Sequence, residues 1–380
     1  EKSGIYAGSL DSKDRKLILG TDRAAKYADP GHLLFVREKT LMAQQFDAKS
    51  LQLSGEPFPV AEDVDSSRIN QSVAVLLSQT GVLAYGGVVS SNRHFVWFDH
   101  NGKSLSVVEP PGEYRDMALS PDEKRVAMQR YDVGGGPSDI WLLDLVRSTP
   151  SRFTFDPTAD DTPFWSPDGA QIVFSSDRAG HSDIYRKVAS GAGNDELLLQ
   201  SDVAKYPTDW SHDGQSILFE NLDPKTKSDI WILPLFGDGK PFPFLQTGFD
   251  ERGARFSPDG HWIAYVSDES GKTEVYVQSF PSSGGKWLIS NGGGGQPRWS
   301  YDGKQLFYIA PDRKLMAVEV KMGTTLEASV PVPLFDSHVD SYTASNRYAV
   351  SRDGRFLINQ AVEETVSAPM TIVVNWLVKK

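Results

Sequence analysis

The chain has 380 residues, 39% hydrophobic and 23% charged, which is the make-up of a globular protein and not of a disordered one. Its net charge of −11 argues against a nucleic-acid binder, which carries a basic face. The absence of cysteine excludes disulfides, thiolate metal sites and cysteine nucleophiles. No run of about 18 apolar residues is present, so no membrane-spanning helix is read and no insertion of this segment into a membrane is expected.

The chain opens inside strand-like text, Gly4–Leu10 and Lys16–Leu19, with no leader pattern, as expected of a mature form or a piece of something longer. A unit then recurs. Its clearest copy is Asp161–Arg186, DTPFWSPDGAQIVFSSDRAGHSDIYR. It reads as a strand (Thr162–Trp165), a tight turn (Ser166-Pro167-Asp168-Gly169), a second strand (Gln171–Ser175), a polar loop and a third strand opening at Asp183-Ile184-Tyr185. Proline presets φ near −65°, aspartate can bond the backbone ahead of it, and glycine takes a φ > 0 position.

Equivalent turns stand at Ser120-Pro121-Asp122-Glu123, Ser211-His212-Asp213-Gly214, Ser257-Pro258-Asp259-Gly260, Ser300-Tyr301-Asp302-Gly303 and Ser351-Arg352-Asp353-Gly354. From Ser120 onward the serines are 46, 45, 46, 43 and 51 residues apart. Weaker copies are Ser78-Gln79-Thr80-Gly81 and Asp29-Pro30-Gly31; after the latter, His32–Asp47 echoes Gln305–Val320. Eight anchors result, near 31, 81, 122, 168, 213, 259, 302 and 353.

Each full copy carries a short apolar run, an acidic-aliphatic-aromatic third strand (Asp139-Ile140-Trp141, Asp229-Ile230-Trp231, Glu274-Val275-Tyr276) and a fourth run before the next anchor. Four short strands every 40–50 residues is the signature of a β-propeller blade. The expected fold is therefore all-β, a single propeller domain over 1–380 with four-stranded antiparallel blades. Eight blades are expected and seven are the alternative. Met370–Trp376 is expected in the last blade, and an N-terminal strand is expected to complete it and close the ring.

Residues that repeat are read as structural. Trp165, Trp210, Phe256 and Trp299 precede their turns and are expected to pack between blades. Asp168, Asp213, Asp259, Asp302 and Asp353 are one per blade, too far apart for calcium, which gathers six to eight oxygens in one place. They are expected to cap turns. Arg178 is expected to pair with a carboxylate inside its blade. The seven histidines have no metal-site spacing, and neither a G-x-S-x-G elbow nor protein-kinase signatures occur. No catalytic residue, metal or cofactor is expected.

In a propeller, the connections between blades and the loops after the second strands share one face. That face should gather Arg115, Asp161, Tyr206, Arg252, Gln296, Arg298 and Arg347, charged and aromatic residues of the kind enriched at binding surfaces.

The S-P-D-G turns, followed by I-V-F or I-A-Y and then D-I-Y or D-I-W, resemble TolB-type propeller repeats, well over Tyr114–Gln360 and weakly over Asp29–Tyr85. Gly31–Asp47, Asp139–Asp156, Pro241–Thr247 and Arg313–Val320 are also similar to the C-terminal propeller regions of bacterial membrane-anchored serine/threonine kinases, whose kinase domain and membrane helix this sequence lacks. The resemblance implies a non-catalytic binding or sensing module of the bacterial envelope. Such a module would be periplasmic or extracellular, tethered or not through a preceding segment, and would recognise a protein, peptide, glycan or small ligand at the channel face. The alternative is a propeller hydrolase or lyase, or the gating domain of a peptidase whose catalytic domain lies elsewhere.

Overall fold

The structure, a computed structural model, describes residues 4–8, 14–21, 24–37, 40–62, 64, 75–78, 82–86, 92–131, 136–282, 285–341, 345–362, 370–374 and 376. All regular elements among them are β-strands, and none is a helix long and apolar enough to cross a membrane. The chain divides into two compact units, 91–362 and 1–90 with 363–380.

Unit 91–362 is built from six antiparallel sheets, five of them each made from one copy of the repeat. Blade two follows the sequence closely: Asp160–Trp165, Gln171–Ser176, Asp183–Val188 and Glu196–Leu199, in that order across the sheet. Blades one, three and four share this order, with innermost strands Tyr114–Leu119, Lys205–Trp210 and Arg252–Phe256. Blade five starts at Gly295–Trp299, and two short strands, Leu326–Ala328 and Val332–Asp336, share the outer edge of Lys314–Met322. Blade six starts at Tyr348–Val350 and Phe356–Ala361.

Each turn is built by its own serine and aspartate. In blade two, Ser166 Oγ donates to Asp168 Oδ1 (2.5 Å), which accepts the Ala170 N–H (2.9 Å), while Ser166 Oγ accepts the Gln171 N–H (2.9 Å). The serine–aspartate bond recurs in the other five turns at 2.5–2.8 Å. Gly169 takes a left-handed φ of 70°, and Glu123 adopts 58° where the first turn has no glycine. The aspartates are thus turn caps.

Apolar clusters fill every junction between blades. Trp165 and Trp210 lie in the cluster shared by blades one to three, Phe256 in that of blades three and four, and Trp299 in that of blades four and five. Trp165 Nε1 also donates to the Ala118 carbonyl of the preceding blade (3.0 Å), and Trp299 Nε1 to the Arg255 carbonyl (3.3 Å). Phe307 and Ile309 meet Phe356 and Ile358 between blades five and six. Leu357, Phe95 and Trp97 meet Met117, Val126 and Met128 between blades six and one. The innermost strands of blades one and six also touch, so six sheets close the ring. Stacking blades in this way buries faces that no single blade could cover.

Closure differs from the sequence expectation. Phe356–Ala361 pairs with Arg93–Phe98, which pairs in turn with Ser104–Gly112. Blade six is therefore two strands from each end of the unit, and the expected N-terminal strand takes no part. Ile5–Gly8 pairs with Arg15–Leu19 as a hairpin instead. Met370–Val374 pairs with Val82–Gly86, not with the Asp353 blade. The physical reason lies in burial. Phe356–Ile358 and Phe95–Phe98 are buried on both faces, so each needs a partner strand and a neighbouring blade. The ring of this unit thus has six blades, not the expected eight or seven; the anchor near 31 belongs to the other unit, and that near 81 lies outside the described residues.

That unit holds, besides the hairpin, a four-stranded sheet (Ala25–Ala28, His32–Arg37, Thr40–Asp47, Gln52–Ala61) and a three-stranded sheet (Val75–Leu77, Val82–Gly86, Met370–Val374). Leu34, Val36, Leu41, Ala43, Val75 and Leu83 form its core.

Candidate binding site at the channel mouth

Counting back from the turn serine aligns the six innermost strands. Five positions before it stand Arg115, Asp161, Tyr206, Arg252, Gly295 and Asn346; two before it stand Ala118, Phe164, Asp209, Arg255, Arg298 and Ala349. Between these positions the ladder slips in blades one to five. A bulge adds one residue and reverses the facing of the residues beyond it, so positions that strict alternation would separate come to share a side. In three strands the residue between them is left-handed: Thr162 (φ 49°), Gly253 (61°) and Gln296 (55°).

The seven sequence-predicted residues all lie on these strands or, for Arg347, one residue before one. Arg115 Nη1 donates to the Tyr131 hydroxyl (3.2 Å), which also accepts from Gln129 Nε2 (3.4 Å). Gln129 and Ser138 donate to Asp161 Oδ1, the latter at 2.5 Å. Burial, aided by the charges of Asp116 and Asp177, pushes the Asp161 carboxyl up to about 7. The Tyr206 hydroxyl accepts from Ser182 Oγ (3.2 Å) and is raised by burial. Arg252 Nε pairs with Asp250 (2.8 Å).

Gln296 and Arg347 tie blades together. Gln296 Oε1 accepts the Arg347 N–H (2.9 Å), its Nε2 donates to the Asp340 carbonyl (3.1 Å), and its own carbonyl accepts the Tyr348 hydroxyl (2.9 Å). Arg347 Nη1 donates to the Tyr114 carbonyl of blade one (3.1 Å). Burial and the neighbouring Arg93 and Arg115 charges bring Arg347 down to about 10.

Sequence reasoning missed Asp116, Asp209, Glu220, Arg255 and Asn346. Asp116 Oδ1 accepts the Asn346 N–H (2.6 Å), Asp209 Oδ2 the Phe256 N–H (2.8 Å) and Glu220 Oε1 the Gly253 N–H (2.8 Å). Burial raises all three carboxyls. Arg255 belongs to blade four, yet its guanidinium lies 4.7 Å from the Phe164 ring centroid of blade two and bonds Asn346 beside blade six. Neither is an adjacent blade, so Arg255 reaches across the lumen. The signal was available: two positions before the serine, a column otherwise holding Ala118, Phe164 and Ala349 turns charged at Asp209, Arg255 and Arg298.

Arg178, by contrast, serves the flank of blade two as expected, pairing with Asp195 (2.8 Å) and Asp160 (3.2 Å). Among the described residues, no group of three or more His, Asp or Glu side chains is arranged to hold a metal ion.

A family model described as the TolB beta propeller domain matches residues 99–232. The Tol-Pal system protein TolB of Francisella tularensis subsp. tularensis is 26% identical, over 44% of this chain and 38% of its own. An uncharacterized peptidase, YuxL, of Bacillus subtilis is 24% identical, over 43% of this chain and 31% of its own. The uncharacterized protein Atu1656 of Agrobacterium fabrum is 28% identical, over 34% of this chain and 46% of its own. The chain thus spans less than half the length of these curated relatives. Among solved structures, one described as a TolB from Agrobacterium tumefaciens superposes with a TM-score of 0.56 at 19% identity, covering 72% of this chain and 99% of that one. The fold is a TolB-like β-propeller.

Proposed function

We propose that the six-bladed unit is a non-catalytic binding module of the bacterial envelope, periplasmic or extracellular, that takes a protein or peptide segment at its channel mouth. One observation carries this reading: Arg115, Asp161, Tyr206, Arg252 and Arg298, all partly solvent-accessible, come from five different blades onto the same stretch of the innermost strands. Charge and aromatic surface gathered from separate blades is the chemistry of recognition. The TolB-like fold supports the envelope setting. A sensor propeller of a membrane kinase is one form such a module takes, and a glycan would be met by the same residues.

A second reading is favoured by the likeness to the Bacillus subtilis peptidase, whose chain is longer than the matched part. There the ring would gate access to a catalytic domain.

Affinity capture tests the first reading. The folded chain is immobilised, an extract of the source cell envelope is passed over it, and retained proteins are identified by mass spectrometry. The control carries Arg115→Glu and Arg252→Glu, both at partly exposed positions. The expected result is a partner held by the parent and lost by the control. Equal retention by both would remove the channel mouth as the site.

A further inference from the structure

Most arginines outside the lumen that pair at all pair with acids: Arg152 with Asp139, Arg178 with Asp195, Arg186 with Glu196 and Arg355 with Asp353. Arg255 and Arg298 do not. Arg255 donates Nη1 to the Ala254 carbonyl (3.1 Å) and Nη2 to Asn346 Oδ1 (2.5 Å). Arg298 donates Nη1 to the Pro297 carbonyl (2.7 Å) and Nη2 to that same Asn346 Oδ1 (2.7 Å). Among the described residues, neither forms an ion pair with a carboxylate.

Two guanidiniums therefore converge on one neutral oxygen in a largely buried place. Like charges held together away from water are costly unless something compensates them. The strain shows in Arg255, which burial and the Arg298 charge bring down to about 9, and in Arg298, which burial also lowers. The charges of Asp209 and Glu220 on Arg255, and of Asp209 and Asp116 on Arg298, offset this only in part and without an ion-pair contact; these carboxyls accept the N–H groups of Phe256, Gly253 and Asn346. Each guanidinium has five N–H donors in a planar fork, and each uses two here. The one oxygen that both share, Asn346 Oδ1, acts as a weak stand-in for an anion. Phe164 and Tyr348 lie under the two guanidinium groups (4.7 and 5.4 Å to the ring centroids) and fix their planes.

We propose that Arg255, Arg298 and Asn346 form a carboxylate-binding subsite in the channel lumen, filled by the carboxylate of an inserted peptide segment. The subsite rests on the binding-module reading and specifies its anchor. Carboxylate is the matching group, because two arginine forks bind a planar pair of oxygens through several parallel N–H···O bonds. The lumen position, reached by Arg255 from one blade toward two non-neighbouring ones, suits a chain end or a single side chain and not a flat protein surface.

The test uses the full chain and three probes: acetyl-glycyl-glycine with a free C-terminus, the same peptide amidated, and acetyl-aspartyl amide. Binding is followed by calorimetry and by the shift in thermal unfolding at fixed ionic strength. The free acid, the aspartyl probe or both should bind and raise the unfolding temperature, and which one does so identifies a C-terminal or a side-chain carboxylate as the source. The amidated peptide should not bind. Arg298→Gln should weaken binding at least tenfold. Asn346→Asp places a carboxylate between the two arginines within the chain, so it should raise the unfolding temperature without peptide and abolish the response to it. The subsite is overturned if none of the probes binds, if the amide binds as well as the acid, or if either variant keeps the full response. Capture of an envelope protein that survives Arg298→Gln would overturn the subsite alone. A carboxylate response without any captured protein would leave the subsite standing and remove the protein-binding reading.

Discussion

Buried charge is handled differently at two successive junctions of the ring. Asp183 opens the third strand of blade two and Lys205 the innermost strand of blade three; they pair at 2.8 Å with side chains 1% and 2% exposed. One junction on, Asp229 and Glu251 take the corresponding places. The backbone agrees, since Lys205 N donates to the Ser182 carbonyl (2.7 Å) and Glu251 N to the Ser228 carbonyl (2.8 Å). An ion pair has become two acids, each buried and each with one oxygen lacking a hydrogen-bond partner, Asp229 Oδ1 and Glu251 Oε2. Burial first, and then the Asp229 charge, push Glu251 up to about 7 from an ordinary 4.5, and burial raises Asp229. The folded state then holds a proton that the unfolded chain releases above about 4.5. This contribution to stability is complete below that pH and disappears as pH rises through 7. Glu251→Gln keeps an acceptor for Thr247 and removes the titration. The variant should be more stable than the parent at pH 8, by on the order of 1–3 kcal/mol, and equal to it near pH 4.5. Urea unfolding at several pH values would show this, and parallel pH profiles for the two proteins would refute it.

The bulge of the innermost strand is the element that shapes the lumen, and it strains the chain unequally. Thr162 is β-branched and held at φ 49°, with a hydroxyl contact to Ser175 Oγ (2.9 Å) as its compensation. Gln296 is held at 55° but makes two side-chain hydrogen bonds that link blades five and six. Replacement by glycine relieves about 1–3 kcal/mol of backbone strain at either position, while a lost hydrogen bond costs about 1 kcal/mol, or more if a buried partner is stranded. Thr162→Gly should therefore raise the denaturation midpoint and Gln296→Gly should lower it. Two changes of the same sign would show that the bulge, and not its side-chain contacts, sets the balance.

The same element explains what the sequence did and did not reveal. The Ser–Asp turns and acidic third-strand starts are local, fixed in spacing and bonded within a few residues, so they could be read directly. The bulge is marked in sequence by a glycine only at Gly253, and Thr162 and Gln296 give no hint of a left-handed backbone. Of the charged residues two positions before the turn serine, the sequence reading therefore took Arg298 into the site and left Asp209 and Arg255 out. Strand pairing was hidden for another reason. Arg-His-Phe-Val-Trp-Phe, residues 93–98, lacks the acidic start of the third strands in blades one to four, and its apolar text does not say which sheet edge it will join.

At the scale of the molecule, the ring unit begins and ends at one place. Val362 N donates to the Asn92 carbonyl (3.0 Å), so the two ends lie side by side at the closing blade. A circular permutant of 92–362, with these ends joined by a short linker and new ends opened in the exposed turn at 190–194, keeps every strand pair of the six blades. It should unfold cooperatively, within several degrees of the unpermuted 92–362 fragment. Circular dichroism and calorimetry would check this; a permutant without a cooperative transition would mean that closure depends on more than the paired strands.

The two-and-two make-up of blade six also sets a schedule for biosynthesis. The strand at 93–98 leaves the ribosome long before its partner at 356–361. At usual elongation rates the wait is on the order of ten to fifty seconds. Throughout it, an apolar strand with Phe95, Val96, Trp97 and Phe98 presents an open edge, the kind of segment that recruits other nascent chains. A protein closed in this way depends, in the cell, on whatever shields that edge until the last blade is made.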